Sequence, residues 1–182
     1  MMSDADRIRW DRRYADRAPM SPDDVGLPTP LAPFADLFPT AGLALDVACG
    51  SGSAAVWLAR RGMSVQGCDV SGVAIAHARS LAERAGVAAR CRFDVVDLDG
   101  GLPPGPPVNV LICSRFRAPD LDGAIIQRLA PGALLAVGVL SEVGAEPGPF
   151  RAAAGELERA FGALDVITAA EGDGQAWLLA RR

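Results

Sequence analysis

The sequence predicts a doubly wound α/β domain: a mostly parallel seven-stranded sheet with helices on both faces and an antiparallel hairpin at its C-terminal end. Three observations predict it. From Leu43 onward, short apolar runs alternate with helix-like stretches, the order that yields parallel strands joined by right-handed crossovers. The runs are continuously apolar, as strands covered on both faces are. The last two runs are separated by only a short stretch that contains Glu171-Gly172-Asp173-Gly174, too short for a crossover but sufficient for a hairpin.

A chain of 182 residues that is 50% hydrophobic fits one domain with a sizeable core. The expected organisation is an N-terminal helix and loop over 1–40, able to act as a lid, on a main body over 41–182. The net charge is −4, and every basic residue other than the single His77 is arginine. An acidic chain argues against coating nucleic acid, which needs a dense cationic surface. The cysteines Cys49, Cys68, Cys91 and Cys113 form no C-x-x-C pair. They indicate neither a zinc site nor a disulfide framework, and they read as buried thiols in strand-like runs. The N-terminus is charged, unlike a signal peptide, and no apolar run is long enough for a membrane span. The expected compartment is the cytoplasm, with no membrane or nucleic-acid partner and no metal.

Taken in order, Ser3 to Arg17 is a polar helix with Ser3 as its cap. Ala18 to Pro30 contains four prolines and must be loop or extended chain. Leu31–Phe38 is a short helix. Leu43–Ala48 is the first strand, Ser53–Arg61 a helix stopped by Gly62, and Ser64–Cys68 the second strand. Ser71–Arg84 is a helix, Ala89–Val96 the third strand, and Gly100–Pro107 a Gly/Pro loop. Val108–Cys113 is a strand, Leu121–Leu129 a helix closed by Ala-Pro-Gly, and Ala133–Leu140 a strand. Phe150–Phe161 is a helix, and Leu164–Ala169 and Ala176–Ala180 are the hairpin strands.

The densest chemical signal is Leu45-Asp46-Val47-Ala48-Cys49-Gly50-Ser51-Gly52-Ser53, a strand-to-helix turn. Its glycines bend the chain tightly and let a ligand approach the main chain. Asp69, at the end of the second strand, is placed to accept from the hydroxyls of a ribose. Glycine turn plus acid reads as nucleoside binding without naming the cofactor, and Gly50-Ser51-Gly52-Ser53-Ala54-Ala55 also fits a relaxed dinucleotide pattern. Asp46 argues the other way: a carboxylate inside the first strand sits badly beside a pyrophosphate but suits a cationic amino-acid tail. Asp97, ending the third strand, is placed to accept from an adenine amino group or, alternatively, to cap its own loop.

At these residues the chain resembles the class I S-adenosylmethionine-dependent methyltransferases, a Rossmann-like family. Ala44 to Gly52 is similar to that family's first motif and Val65-Gln66-Gly67-Cys68-Asp69-Val70-Ser71 to its acidic second-strand motif. Asp97-Leu98 is similar to the adenine-side motif, and Leu129-Ala130-Pro131-Gly132-Ala133 to the turn before the fifth strand. Trp10-Asp11-Arg12-Arg13-Tyr14 and Trp57-Leu58-Ala59-Arg60-Arg61-Gly62 look like segments of the small tellurite-resistance and thiol methyltransferase branch. The resemblance implies binding of S-adenosylmethionine, with S-adenosylhomocysteine as product, through Asp46, Ala48, Cys49, Gly50, Ser51, Gly52, Asp69, Val70, Asp97, Leu98 and Cys113. It places Asp46 toward the cofactor's amino group, Asp69 on the ribose, Val70 beside the adenine, and Cys113 near the methionine end. Ser53 departs from the frequent third glycine of the first motif, and Ala133 from the second glycine of the later turn.

A sulfonium methyl is already electrophilic, so the protein must mainly hold a nucleophile in line, dry and close. His77 falls mid-helix, away from the strand ends. The catalytic candidates are Tyr14, Arg115 and Glu142; Trp10 and Tyr14 could close over the cofactor, Arg115 or Arg117 could hold an anionic substrate, and Glu142 could orient or deprotonate one. Ser114, Phe116 and Ser141 share those loops. The absence of an obvious base favours an easily ionised nucleophile such as a thiol, and the short chain favours a small-molecule acceptor. The alternatives are an NAD(P)-dependent oxidoreductase, disfavoured by Asp46 and by the lack of a Tyr-x-x-x-Lys pair, and a non-catalytic methyltransferase-like binding protein.

Overall fold

The computed structural model describes residues 4–146, 148 and 151–182. Helix α1 (Asp4–Ala15) is followed by a proline-rich stretch that forms 3₁₀ turns over Pro22–Asp24 and Thr29–Leu37. The proposed Ser3 cap lies outside the described residues. Strand β1 (Leu43–Val47) leads to α2 (Ser53–Arg60), β2 (Ser64–Asp69), α3 (Gly72–Arg84) and β3 (Cys91–Val95). Then follow β4 (Val108–Ser114), α4 (Asp122–Arg128) and β5 (Leu129–Ser141). The two-residue β6 (Arg151–Ala152), α5 (Glu156–Phe161), β7 (Asp165–Gly172) and β8 (Gln175–Arg181) complete the chain.

The sheet runs β3-β2-β1-β4-β5-β8-β7, parallel from β3 to β5, with β8 antiparallel to both its neighbours. The hairpin forms as expected: Asp173 (φ +50°) and Gly174 (φ +74°) give its turn two left-handed residues, which suits the twist of paired strands. Chain order reverses between β1 and β4, so these two adjacent strands flank a crevice at their C-terminal ends.

Alternating strand residues feed two cores. Leu45, Val47, Leu111 and Val137 pack with Ile125 of α4 and Leu157 and Phe161 of α5. Ala44, Val65, Val110, Ile112 and Ala136 pack with α2, α3, Leu31 and Phe38 on the other face. Each large apolar side chain buried this way contributes about 1.5–3 kcal/mol. Between β3 and β4 the chain forms only a 3₁₀ turn over Leu98–Gly100. Leu98 and Leu102 from the loop cover that part of the sheet, and the Arg128 guanidinium holds the loop by donating to the Pro103 carbonyl at 2.9 Å.

Two expectations need correction. Phe150–Phe161 is not one helix: residue 150 lies outside the described residues, Arg151–Ala152 joins β5 as β6, and helix begins only at Glu156. The Arg151 guanidinium donates to the carbonyls of Ser141 and Gly174, and Gly155 (φ +65°) breaks the chain before α5. The Ala-Pro-Gly stop after α4 lies inside β5, where the register jumps from Val108↔Leu129 to Val110↔Leu134 and the intervening residues bulge out.

Candidate active site

Directly after β1 the backbone turns through Ala48 (φ +54°), Gly50 (φ +54°) and Gly52 (φ +82°) into α2. Gly52 lets two helices meet, since a Cβ there would lie 2.8 Å from the Ala78 Cβ on α3. Gly50 lies under α1: a Cβ there would sit 2.6 Å from the Tyr14 hydroxyl.

Asp69 ties this turn to the end of β2. One carboxylate oxygen accepts from the Gly50 N–H at 2.9 Å and the other from the Ser71 N–H at 2.9 Å. Burial pushes its carboxyl up, the two amides pull it back down, and the nearby Asp11 charge raises it again. Asp46 is buried in β1, with one oxygen accepting from the Ala55 N–H at 3.1 Å. Burial pushes its carboxyl up to about 8, with the Ala55 bond opposing. A nearly dry carboxylate behind a glycine turn suits a cationic ligand far better than an anionic one.

Helix α1 is fixed over this corner by Asp11, which accepts from the Ser71 hydroxyl at 2.6 Å and from the Val73 N–H at 3.4 Å. The contact places a negative charge at the N-terminus of α3, where the helix dipole favours it. Tyr14 stays protonated: burial first, then the Asp69 charge, pushes its phenol up to about 12. Such a group donates rather than removes a proton at neutral pH.

The family model described as "Methyltransferase domain" matches residues 44–130, which span the turn, Asp69, Asp97 and β4. Over those residues the chain is similar to a methyltransferase domain. Among solved structures, TehB from Haemophilus influenzae superposes with a TM-score of 0.76 at 16% identity over 88% of this chain, which spans only 64% of TehB. The protein described for conversion of a disulfide bond into a thioacetal group during echinomycin biosynthesis gives 0.70 at 23% identity, over 97% of this chain and 92% of that one. A S-adenosylmethionine-dependent methyltransferase from Thiobacillus denitrificans, in complex with S-adenosyl-L-homocysteine, gives 0.58 at 25% identity, over 74% of this chain and 56% of that one. A search of curated proteins gives no significant match.

The residues singled out from sequence fall in three groups. Asp46, Ala48, Cys49, Gly50, Ser51, Gly52 and Asp69 come together around the turn, with Val70 buried beside Asp69. Asp97 and Leu98 begin the β3–β4 loop. One Asp97 oxygen accepts from the Asp99 N–H at 3.0 Å, capping its own turn, and the Leu98 side chain is buried in the core. Cys113, the last residue but one of β4, pairs with Val47, but its thiol is buried and directed to the Phe116 carbonyl, and burial pushes it well up.

Arg117 is corrected as a substrate-binding candidate. Its guanidinium donates to both Asp122 oxygens at 2.6 and 2.8 Å and to Glu156 at 2.6 Å, joining the loop to α4 and α5. Arg115 and Glu142 are exposed beyond β4 and β5. Ser141 is buried, donating to Glu171 at 2.6 Å. His77 lies within α3, half-buried. Two surface clefts lie elsewhere, along β3 and beneath the N-terminal ends of β1 to β3.

Sequence reasoning missed two contacts that build the site. Ser53, the departure from the usual glycine, holds Gly26 of the N-terminal segment through both its N–H (3.1 Å) and its carbonyl (3.2 Å). The Asp11–Ser71 bond was hidden because its partners lie 60 positions apart. The only local signal was the Trp-Asp-x-x-Tyr pattern itself.

Proposed function

We propose that the chain transfers the methyl group of S-adenosylmethionine to a small-molecule acceptor. The carrying observation is the buried Asp46–turn–Asp69 arrangement at the β1/β4 crevice beneath Tyr14. The residues fit the cofactor. Gly50 and Gly52 bend the turn tightly, Asp69 is placed for the ribose hydroxyls and Val70 for one adenine face, and Asp97 retains an exposed carboxylate for the adenine edge. Asp46 gives the buried end a carboxyl that a positive amino group would ionise. Ala48, Cys49 and Ser51 offer backbone groups, and Leu98 and Cys113 form the apolar floor.

When bound, the sulfonium supplies an activated methyl group. The chain's own work is to close α1 over the turn, to exclude water through Trp10 and Tyr14, and to hold the acceptor in line beyond β4 and β5. Neutral Tyr14 positions by donation, and Glu142 is the acid available to orient an acceptor. The site favours a nucleophile that ionises readily, such as a thiol. A sulfur-centred reaction in the echinomycin neighbour agrees with that choice.

Calorimetric titration with S-adenosylmethionine and S-adenosylhomocysteine, with NAD(H) in parallel, tests this reading. Micromolar binding of both sulfur nucleosides, none of NAD(H), and at least ten-fold weaker binding by Asp69→Ala are expected, since losing one charged hydrogen-bond acceptor costs roughly 1.5–3 kcal/mol. Absence of sulfur-nucleoside binding would overturn it. The acceptor is then sought by following S-adenosylhomocysteine release.

A further inference from the structure

From the crevice geometry we infer that Arg115 anchors a carboxylate on the methyl acceptor; this rests on the methyltransferase reading above. Outside the hairpin turn, two described non-glycine residues have left-handed backbone, Ala48 at φ +54° and Arg115 at φ +59°. Each directly follows one of the strands that flank the crevice, Val47 ending β1 and Ser114 ending β4. Because Val47 pairs with Cys113, the two left-handed residues stand at nearly the same level on either side of the point where strand order reverses. Ligands of open α/β sheets bind at such points.

A left-handed non-glycine residue is strained and persists where its surroundings over-determine it. Here the surroundings do so. The Arg115 N–H donates to the Gly138 carbonyl at 2.6 Å, the Cys113 thiol donates to the Phe116 carbonyl at 3.5 Å, and Arg117 is locked by Asp122 and Glu156. The loop is thus pinned on both sides of one residue whose own side chain is exposed and makes no ion pair among the described residues. Glycine would fit this backbone without strain, so the arginine side chain has no structural use that justifies the conformation. The two buried acids at the crevice, Asp46 and Asp69, are matched to a cationic cofactor, and Arg115, exposed directly after β4, carries a planar cationic fork. One guanidinium matches one carboxylate in charge and in bidentate geometry.

The test uses the full chain loaded with S-adenosylhomocysteine. Thioglycolate is titrated against its neutral counterpart mercaptoethanol, and para-hydroxybenzoate against para-hydroxybenzyl alcohol. Wild type is compared with Arg115→Asn, which tolerates a left-handed backbone but carries no charge. The expected result is at least ten-fold tighter binding of the carboxylates by wild type and loss of that preference in Arg115→Asn. The variant keeps its S-adenosylhomocysteine affinity and its melting temperature. Equal binding within each pair, a preference that survives in Arg115→Asn, or no binding of any probe to the loaded protein overturns the inference. Failure of S-adenosylhomocysteine itself to bind overturns the methyltransferase reading beneath it.

Discussion

A methyl group at position 50 would lie 2.6 Å from the Tyr14 hydroxyl on a backbone at φ +54°, so two penalties coincide there. Gly50→Ala is expected to destabilise the protein by about 1–3 kcal/mol, from left-handed strain and from displacing Tyr14. Cofactor affinity falls with it, because the same displacement lifts α1 from the turn. Thermal melts with and without S-adenosylhomocysteine measure both effects. An unchanged melting temperature would mean that Tyr14 does not rest on the turn. Ala48 and Arg115 hold the same backbone conformation without being glycine, and both stand at the crevice. Strain of this kind carries no sequence signature. The alanine of the turn was legible as part of a motif, whereas the conformation of Arg115 was not legible at all.

Among elements, α1 is joined to the body through Asp11. Removing that carboxylate in Asp11→Ala leaves the Ser71 hydroxyl and the Val73 amide without their acceptor, a loss of about 1–2 kcal/mol. The expected readout is faster hydrogen exchange confined to α1 and weaker S-adenosylhomocysteine binding, with partial rescue by Asp11→Asn. Exchange unchanged over Asp4–Ala15 would refute the latch. The β4–α4–α5 junction behaves differently. Arg117→Ala strands two partly buried carboxylates and is expected to destabilise by about 3 kcal/mol, yet to leave S-adenosylhomocysteine affinity within two-fold (~0.4 kcal/mol), since the ion pairs face α4 and α5. Urea denaturation and calorimetry together separate these outcomes, and a large loss of cofactor affinity would return Arg117 to the binding site. The spacing of residues 115 and 117 could not distinguish the two arginines. Their partners, Asp122 and Glu156, come from separate helices.

For the molecule as a whole, the buried Asp46 carboxyl couples stability to pH. Below about 4 it is protonated in both folded and unfolded chains. Above that the unfolded chain loses the proton while the folded chain keeps it up to about 8, so the contribution of this group to stability falls as pH rises through that window. Asp46→Asn retains an acceptor for the Ala55 amide and cannot ionise. In the cofactor-free protein its melting temperature is expected to exceed that of wild type at pH ~8, with the gap closing toward pH ~4. Parallel melting curves across that range would show instead that Asp46 is already ionised in the fold.

The sequence by itself determined the doubly wound class, the position of the glycine turn and the acids at the ends of β1 and β2. Each of these is written in local patterns: apolar runs of strand length, helix-like intervals, and Gly-x-Gly after a run. The short β6 was not legible, because Arg151 reaches carbonyls of Ser141 and Gly174 that only the folded sheet brings near. Tertiary structure alone decided that Ser53 grips Gly26, that Asp11 seats α1 on α3, and that Arg117 is consumed while Arg115 stands exposed beyond β4. These are matters of which distant groups meet and which are left in water, and burial and pairing are set by the whole chain's packing.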